Sequence, residues 1–373
     1  MKVLFDARMA GWLGVGRYTV GLLTGLAVLS QDGPVRDFEI VSLRNPKDAE
    51  WLDAHPGLQG IRWEDCNRRP FSPLDGVLMG RDWRGSADIF HSPHFVLPSG
   101  LGMPMISTIH DPIPLLGAAA GYDRSRSWAF WAGTRYACAA AGAVVTTTRA
   151  TGQWLDDMGL RPKRLVIIPA AVDPTFFQLR SNAEQQEVRR LYRLERDYVL
   201  WIGALRPHKN LPLLLDAWNH AGLQESADLL LGGSADTPYG RRVLSRLEHG
   251  GAQVQGPRYL GRIPDEQLPA LISGAKLLVF PSLYEGFGLP PLEAQACGTP
   301  VLASDIPVLR EVLGKGAAYF DSRDHRDLAV KLKDLLTSAE TLADLRRRGF
   351  ASAARYSWQA TARQMLRLYR SLE

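Results

Sequence analysis

Short, almost unbroken apolar runs recur along the chain, separated by stretches of helical period. A strand that is apolar on both faces has to be covered on both, which is the condition of a parallel sheet flanked by helices. In the first half the strand candidates are KVLFDAR (2–8), FEIVSL (38–43), ADIFHSP (87–93), PMISTIHD (104–111), AGAVVTTT (141–148) and RLVIIPAAVD (164–173), with RYTVGLLTGLAVLS (17–30) a helix after the first. A charged helical stretch, LRSNAEQQEVRRLYRLERD (179–197), precedes a second series: YVLWIGAL (198–205), ADLLLGG (227–233), VQGPRYLGRI (254–263), AKLLVFPS (275–282) and TPVLASD (299–305). NLPLLLDAWNHA (210–221) reads as a helix with Asn210 as N-cap and Pro212 in its first turn. The alternation predicts two doubly wound α/β domains in tandem. A chain of 373 residues suits that number. The expected ranges are 1–178 and 179–357, followed by an amphipathic helix at 358–373.

Bulk properties narrow the function. The pI is about 9.1 with net charge +5, too weakly basic to argue for nucleic acid, and no nucleic-acid partner is expected. Cys66, Cys138 and Cys297 are far apart and form no CxxC, which disfavours a disulfide framework or zinc site and fits a reducing cytoplasm. Asp6 and Arg8 interrupt the first apolar run, so it does not read as a signal peptide. No uncharged apolar run reaches the length of a spanning helix.

Open α/β sheets bind ligands at the carboxyl ends of their strands, and four such positions carry chemistry. GWLGVGRY (11–18) brings Gly14 and Gly16 to the start of a helix, where backbone N–H groups suit an anion. Thr19 breaks the dinucleotide fingerprint, and a plain tight turn fits this loop equally well. STIHDPIPL (107–115) ends a strand on His110 and Asp111, either a ligand contact or a hydrogen-bonded strand-end histidine. In WIGALRPHKNL (201–211) a basic loop with Arg206, His208 and Lys209 leads into a helix N-terminus. Cations there are unfavourable unless an anion joins them, which suggests a phosphate or diphosphate, with a solvated basic loop as the alternative. SLYEGFGLPPLEA (282–294) places Glu285 before a glycine turn and Glu293 inside a proline-started helix. Carboxylates accept hydrogen bonds from vicinal hydroxyls, so a sugar nucleotide satisfies both anion-type and polyol-type sites.

The run from Tyr259 to Gly314 resembles the family 4 glycosyltransferases, the retaining group with the GT-B fold, and carries their E-x7-E signature as Glu285 and Glu293. GVGRYTVGLL, STIHDPIPL and YVLWIGALRPHKNLPLLLDAW are similar to that family in matching order. The resemblance implies two Rossmann-like domains facing across a cleft, acceptor on the first and nucleotide-sugar donor on the second, with the last helix crossing back to the first. It implies that Glu293 holds the donor ribose, Glu285 contacts the transferred sugar, and Phe287, Gly288 and Leu289 meet sugar and phosphates through backbone N–H groups. It further implies that Gly14 and Gly16 face the donor, His110 contacts the sugar near the reacting centre, Lys209 neutralises the diphosphate, and Tyr259 to Ile263, Leu260 included, lines the base. The arginine usual in the basic loop is replaced by Ala204 or His208, leaving Arg206 to supply the second charge.

By that resemblance the expected reaction is retaining transfer of a hexose, mannose from GDP-mannose first, to a glycan or lipid-linked acceptor. The GVGRY, HDPIPL and HKNL variants resemble bacterial mannosyltransferases of surface polysaccharide or lipid-linked glycan synthesis. No D-x-D triplet occurs, and no metal or other cofactor is expected. Arg124, Arg126 and Arg135 interleave with Trp128, Phe130 and Trp131, a pattern that suits either inward-packed aromatics or peripheral contact with an anionic membrane. A GT-B epimerase of sugar nucleotides and an inactive GT-B binding subunit are the alternatives.

Overall fold

The computed structural model describes residues 1–12, 14–32, 38–72, 74–174, 176–249 and 256–373. The chain forms two compact units. The first comprises Met1–Leu115, Arg124–Ala171 and Tyr356–Glu373, the second Leu116–Asp123 and Val172–Arg355. Relative to a division at 178/179, the crossover lies a few residues earlier, and residues 116–123 pack with the second unit.

The strands of the first unit are β1 (Lys2–Asp6), β2 (Glu39–Arg44), β3 (Arg62–Asp65), β4 (Ile89–Ser92), β5 (Met105–Ile109), β6 (Ala143–Thr146) and β7 (Leu165–Ile167). They form one parallel sheet in the order β3-β2-β1-β4-β5-β6-β7. The central strands β1, β4 and β6 are buried almost throughout, as two-sided cover requires. The expected strand at 164–173 stops at Ile167, two residues before Pro169, which cannot donate to a ladder. β3, sequence RWED, has no apolar run because an edge strand faces water, so its pattern gave no strand signal.

The helix Trp358–Arg370 packs on the helix Val15–Asp32 within this unit. Two glycines permit the approach: a Cβ at Gly21 would lie 2.0 Å from Trp358 Cε2, and one at Gly25 would lie 2.4 Å from the Trp358 carbonyl oxygen. Tyr369 near the helix end is buried, its hydroxyl 2.6 Å from His91 Nδ1.

The second unit holds β8 (Tyr198–Ile202), β9 (Asp228–Gly232), β10 (Arg258–Gly261), β11 (Leu277–Phe280), β12 (Val301–Ser304) and β13 (Ala317–Phe320), parallel in the order β10-β9-β8-β11-β12-β13. Of the strand expected at 254–263, residues 254 and 255 lie outside the described residues. Trp201 and Trp218 are fully buried in its core. Asn210 precedes the helix Leu211–Ala221 but does not cap it with its side chain. Its backbone is left-handed at φ 54°, and Nδ2 donates instead to the Ser322 carbonyl at 2.9 Å.

In each sheet the strand order reverses once, between β1 and β4 and between β8 and β11. Loops leaving the carboxyl ends on either side of a reversal run in opposite directions and open a crevice. Gly14 and Gly16 follow β1, Lys209 follows β8 and Glu285 follows β11, whereas His110 follows β5 and Leu260 lies on β10.

Candidate active site

At the reversal point of the second unit, one loop follows β8 and another follows β11. The Leu283 N–H donates to the His208 carbonyl at 2.8 Å, which joins the two loops. Lys209 Nζ then reaches Glu285 Oε1 at 2.6 Å and lies 5.1 Å from the Phe280 ring centre. Both side chains are largely buried, so the pair sits in reduced dielectric, where a bare ammonium would be costly.

Gly288 begins the helix Leu289–Ala296 at φ 89°, ψ 54°, and prolines occupy its first turn without forfeiting an intrahelical bond. A Cβ on Gly288 would lie 2.7 Å from Leu309 Cδ2. Phe287 is buried and Leu289 half-buried. Glu293 is 3% exposed inside the helix, one turn before Cys297. Burial and the nearby Glu293 charge push the Cys297 thiol up to about 12. Glu285 and Glu293 thus sit on different elements, loop and helix, and Glu285 has a lysine partner.

The basic loop holds fewer charges than its sequence suggests. His208 is buried and hydrogen-bonded to the Ala120 carbonyl. Burial, with Lys209 and Arg206 nearby, lowers its pKa to about 3, so it is neutral at pH 7. Arg206 lies over the Tyr122 ring at 5.6 Å. Both contacts come from the segment 116–123. Farther along the sheet, Tyr259 donates to the Gly233 carbonyl at 2.7 Å, Leu260 is half-buried on β10, and Ile263 is buried against Gly232.

In the first unit, Gly14 adopts φ 78° just before the helix Val15–Asp32. The N–H of Gly16 donates to the Trp12 carbonyl at 2.8 Å, so it closes a turn, and a Cβ at Gly16 would lie 2.2 Å from the Ala10 carbonyl oxygen. His110 follows β5. Its Nε2 donates to the Pro93 carbonyl at 2.8 Å, and its ring meets Tyr18 edge-on at 4.7 Å. Burial lowers its pKa to about 4, leaving a neutral ring with Nδ1 as the acceptor nitrogen.

Sequence reasoning missed a buried ionic cluster at the end of β1. Arg8 donates to Asp6 through Nε and Nη2, both at 2.8 Å, and to Asp75 through Nη1 at 2.8 Å and Nη2 at 3.1 Å. Arg8 holds Asp6 below the usual carboxylate range despite burial. The signal available was the interruption of an apolar strand by two opposite charges, Asp6 and Arg8; Asp75 has no local signal. Among the described residues no three His, Cys, Asp or Glu side chains converge as a metal site.

Two family models match this chain: glycosyltransferase family 4 over residues 14–176 and glycosyl transferases group 1 over residues 183–352. This chain belongs to the family 4 glycosyltransferases. O-antigen chain mannosyltransferase B of Escherichia coli is 27% identical to this glycosyltransferase over the full length of both chains. The MMP alpha-(1->4)-mannosyltransferase of Mycolicibacterium hassiacum is 29% identical over 79% of this chain and 72% of its own length. Among solved structures, Anabaena HepE in complex with UDP-glucose superposes with a TM-score of 0.80 at 18% identity, covering 100% of both chains. The glycosyltransferase has the GT-B fold. Among its described residues no helix is long and apolar enough to cross a membrane.

Proposed function

We propose that this glycosyltransferase moves a mannosyl residue from GDP-mannose to a hydroxyl of a bacterial surface glycan or lipid-linked acceptor, with retention and without a metal. The observation that carries the reading is the Lys209–Glu285 pair beside the Gly288-started helix, at the carboxyl ends of β8 and β11. A departing nucleoside diphosphate develops negative charge. Lys209, Arg206 and the helix N-terminus supply positive potential for it. Glu285 accepts hydroxyls of the transferred sugar and Glu293 those of the ribose. His110 contacts the transferred sugar through its neutral ring. Phe287, Gly288 and Leu289 follow the sugar and phosphates, Leu260 and Ile263 flank the base, and the family resemblance assigns Gly14 to the donor as well.

In the reaction the acceptor oxygen forms a bond to C1 as the C1–O bond to phosphate breaks on the same face. The acceptor proton passes to the departing phosphate. The mannosyl assignment is supported by the names of two relatives, both mannosyltransferases. The free, buried cysteines Cys66, Cys138 and Cys297 fit a cytoplasmic enzyme.

Membrane contact is proposed at the helix Arg124–Ala140. Phe130 packs inward, 4.6 Å from Phe95, while Trp128 is 68% exposed and Arg124, Arg126 and Arg135 line the outer surface. Flotation with liposomes containing anionic lipid, and loss of flotation without it, is the expected result.

The deciding experiment is a thermal-shift panel of GDP-mannose, GDP-fucose, UDP-glucose and UDP-N-acetylglucosamine, followed by NMR of the product anomeric proton. A GDP-mannose shift with an α-linked product in EDTA is expected. A UDP-specific shift, an inverted product, or activity abolished by EDTA and restored by Mg²⁺ would overturn the corresponding part.

A further inference from the structure

The carboxyl end of the first sheet carries aromatic surface that the donor reading does not use. Trp12 and Phe71 are 50% and 44% exposed, and their rings meet at 5.7 Å with a 33° tilt. Phe71 also lies 5.6 Å from the His94 ring and 5.4 Å from Phe95.

Three features distinguish this pair from scattered surface aromatics. Phe71 is held at φ 70°, one of three non-glycine residues at positive φ among those described. A bulky side chain is strained there, so the surrounding structure fixes its ring at a cost in backbone energy. Beneath it, His94 is 3% exposed. Its Nδ1 accepts the Val96 N–H at 3.0 Å, and burial lowers its pKa to about 3, so the neutral ring carries its proton on Nε2. That N–H has no hydrogen-bond partner, and Asp6 Oδ2 is 3.9 Å away, beyond bonding distance. A buried donor left in this state is unfavourable unless a ligand supplies the acceptor. Finally, Arg8 is saturated by Asp6 and Asp75, so the crevice presents a neutral donor beside two aromatic faces rather than an ion site.

A pyranose ring has the matching chemistry, with a C–H face that stacks on an aromatic ring and an edge of hydroxyl groups. We propose that Trp12 and Phe71 form a stacking subsite for a sugar ring of the acceptor glycan, with His94 Nε2 donating to one of its hydroxyl oxygens. This rests on the glycan-acceptor reading above and adds the residues that recognise the acceptor.

The test is calorimetric titration of the full chain with methyl α-mannoside and an α-linked mannobiose, for the wild type, Trp12→Ala and Phe71→Gly. Glycine relaxes the left-handed backbone at position 71, so that variant removes the ring without straining the fold. Mannobiose affinity is expected to fall at least tenfold in each variant. Thermal shifts with GDP-mannose, read in parallel, should match the wild type. Wild-type affinity in both variants, or no mannobiose binding by the wild type, overturns the subsite. A panel in which no nucleotide sugar shifts the wild type overturns the donor reading instead, and the mannobiose titration still decides the subsite.

Discussion

Lys209 Nζ lies 2.6 Å from Glu285 Oε1, although the two residues follow different strands and are 76 positions apart. The carboxylate accepts from the same ammonium that the proposed diphosphate would engage. Donor binding therefore has to redistribute this pair.

Glu285→Gln is expected to do two opposite things. It should lower kcat by about a hundredfold or more, the usual cost of losing one positioned polar group at a reacting centre. It should also tighten GDP binding severalfold, because Lys209 loses its competing carboxylate. Single-turnover kinetics and calorimetry check both; unchanged GDP affinity would remove Glu285 as the competitor.

Glu293→Ala is expected to raise the donor KM by about tenfold, the worth of one charge-assisted hydrogen bond near 1.4 kcal/mol, with kcat within about twofold. A fall in kcat at unchanged KM would move Glu293 from the ribose to the reacting sugar.

Gly288→Ala should destabilise the second unit by about 2 kcal/mol. The left-handed backbone accounts for roughly 1–2 kcal/mol, and the Leu309 contact adds to it. Urea unfolding should show a lower midpoint at unchanged slope. An unchanged midpoint would mean that the turn relaxes to accept a side chain.

Stability should fall as pH drops below about 6.5. His91, His94 and His208 have pKa values lowered to about 3, and His110 to about 4, chiefly by burial. The unfolded chain therefore binds protons on these rings that the folded chain refuses. Each contributes up to about 1.4 kcal/mol of lost stability per pH unit in that window. Asp6, with its folded pKa lowered, adds loss of the same sign at lower pH. A melting temperature flat between pH 7 and 5 would contradict this.

The strands most readable in the sequence were those buried on both faces, because there the demand for apolar side chains is strongest. β3 and β13 escaped for opposite reasons: one is a charged edge, the other a short AAYF run. In the site, SLYEGFGLPPLEA announced a turn and a proline-started helix, and Gly288 and Glu293 occupy those positions. The Lys209–Glu285 contact had no local signal, since it depends on β8 and β11 being neighbours.

The sequence by itself determined the doubly wound class, the strand-end positions of His110, Lys209 and Glu285, and the family, because each rests on short-range pattern. Tertiary structure decided protonation and partnership. Burial, which no local pattern reports, makes His208 neutral inside a basic loop and His94 an unpartnered donor. Packing across the sheet turned the two charges that merely interrupted the first strand into a closed cluster with Asp75, because strand order alone sets which distant side chains share a crevice.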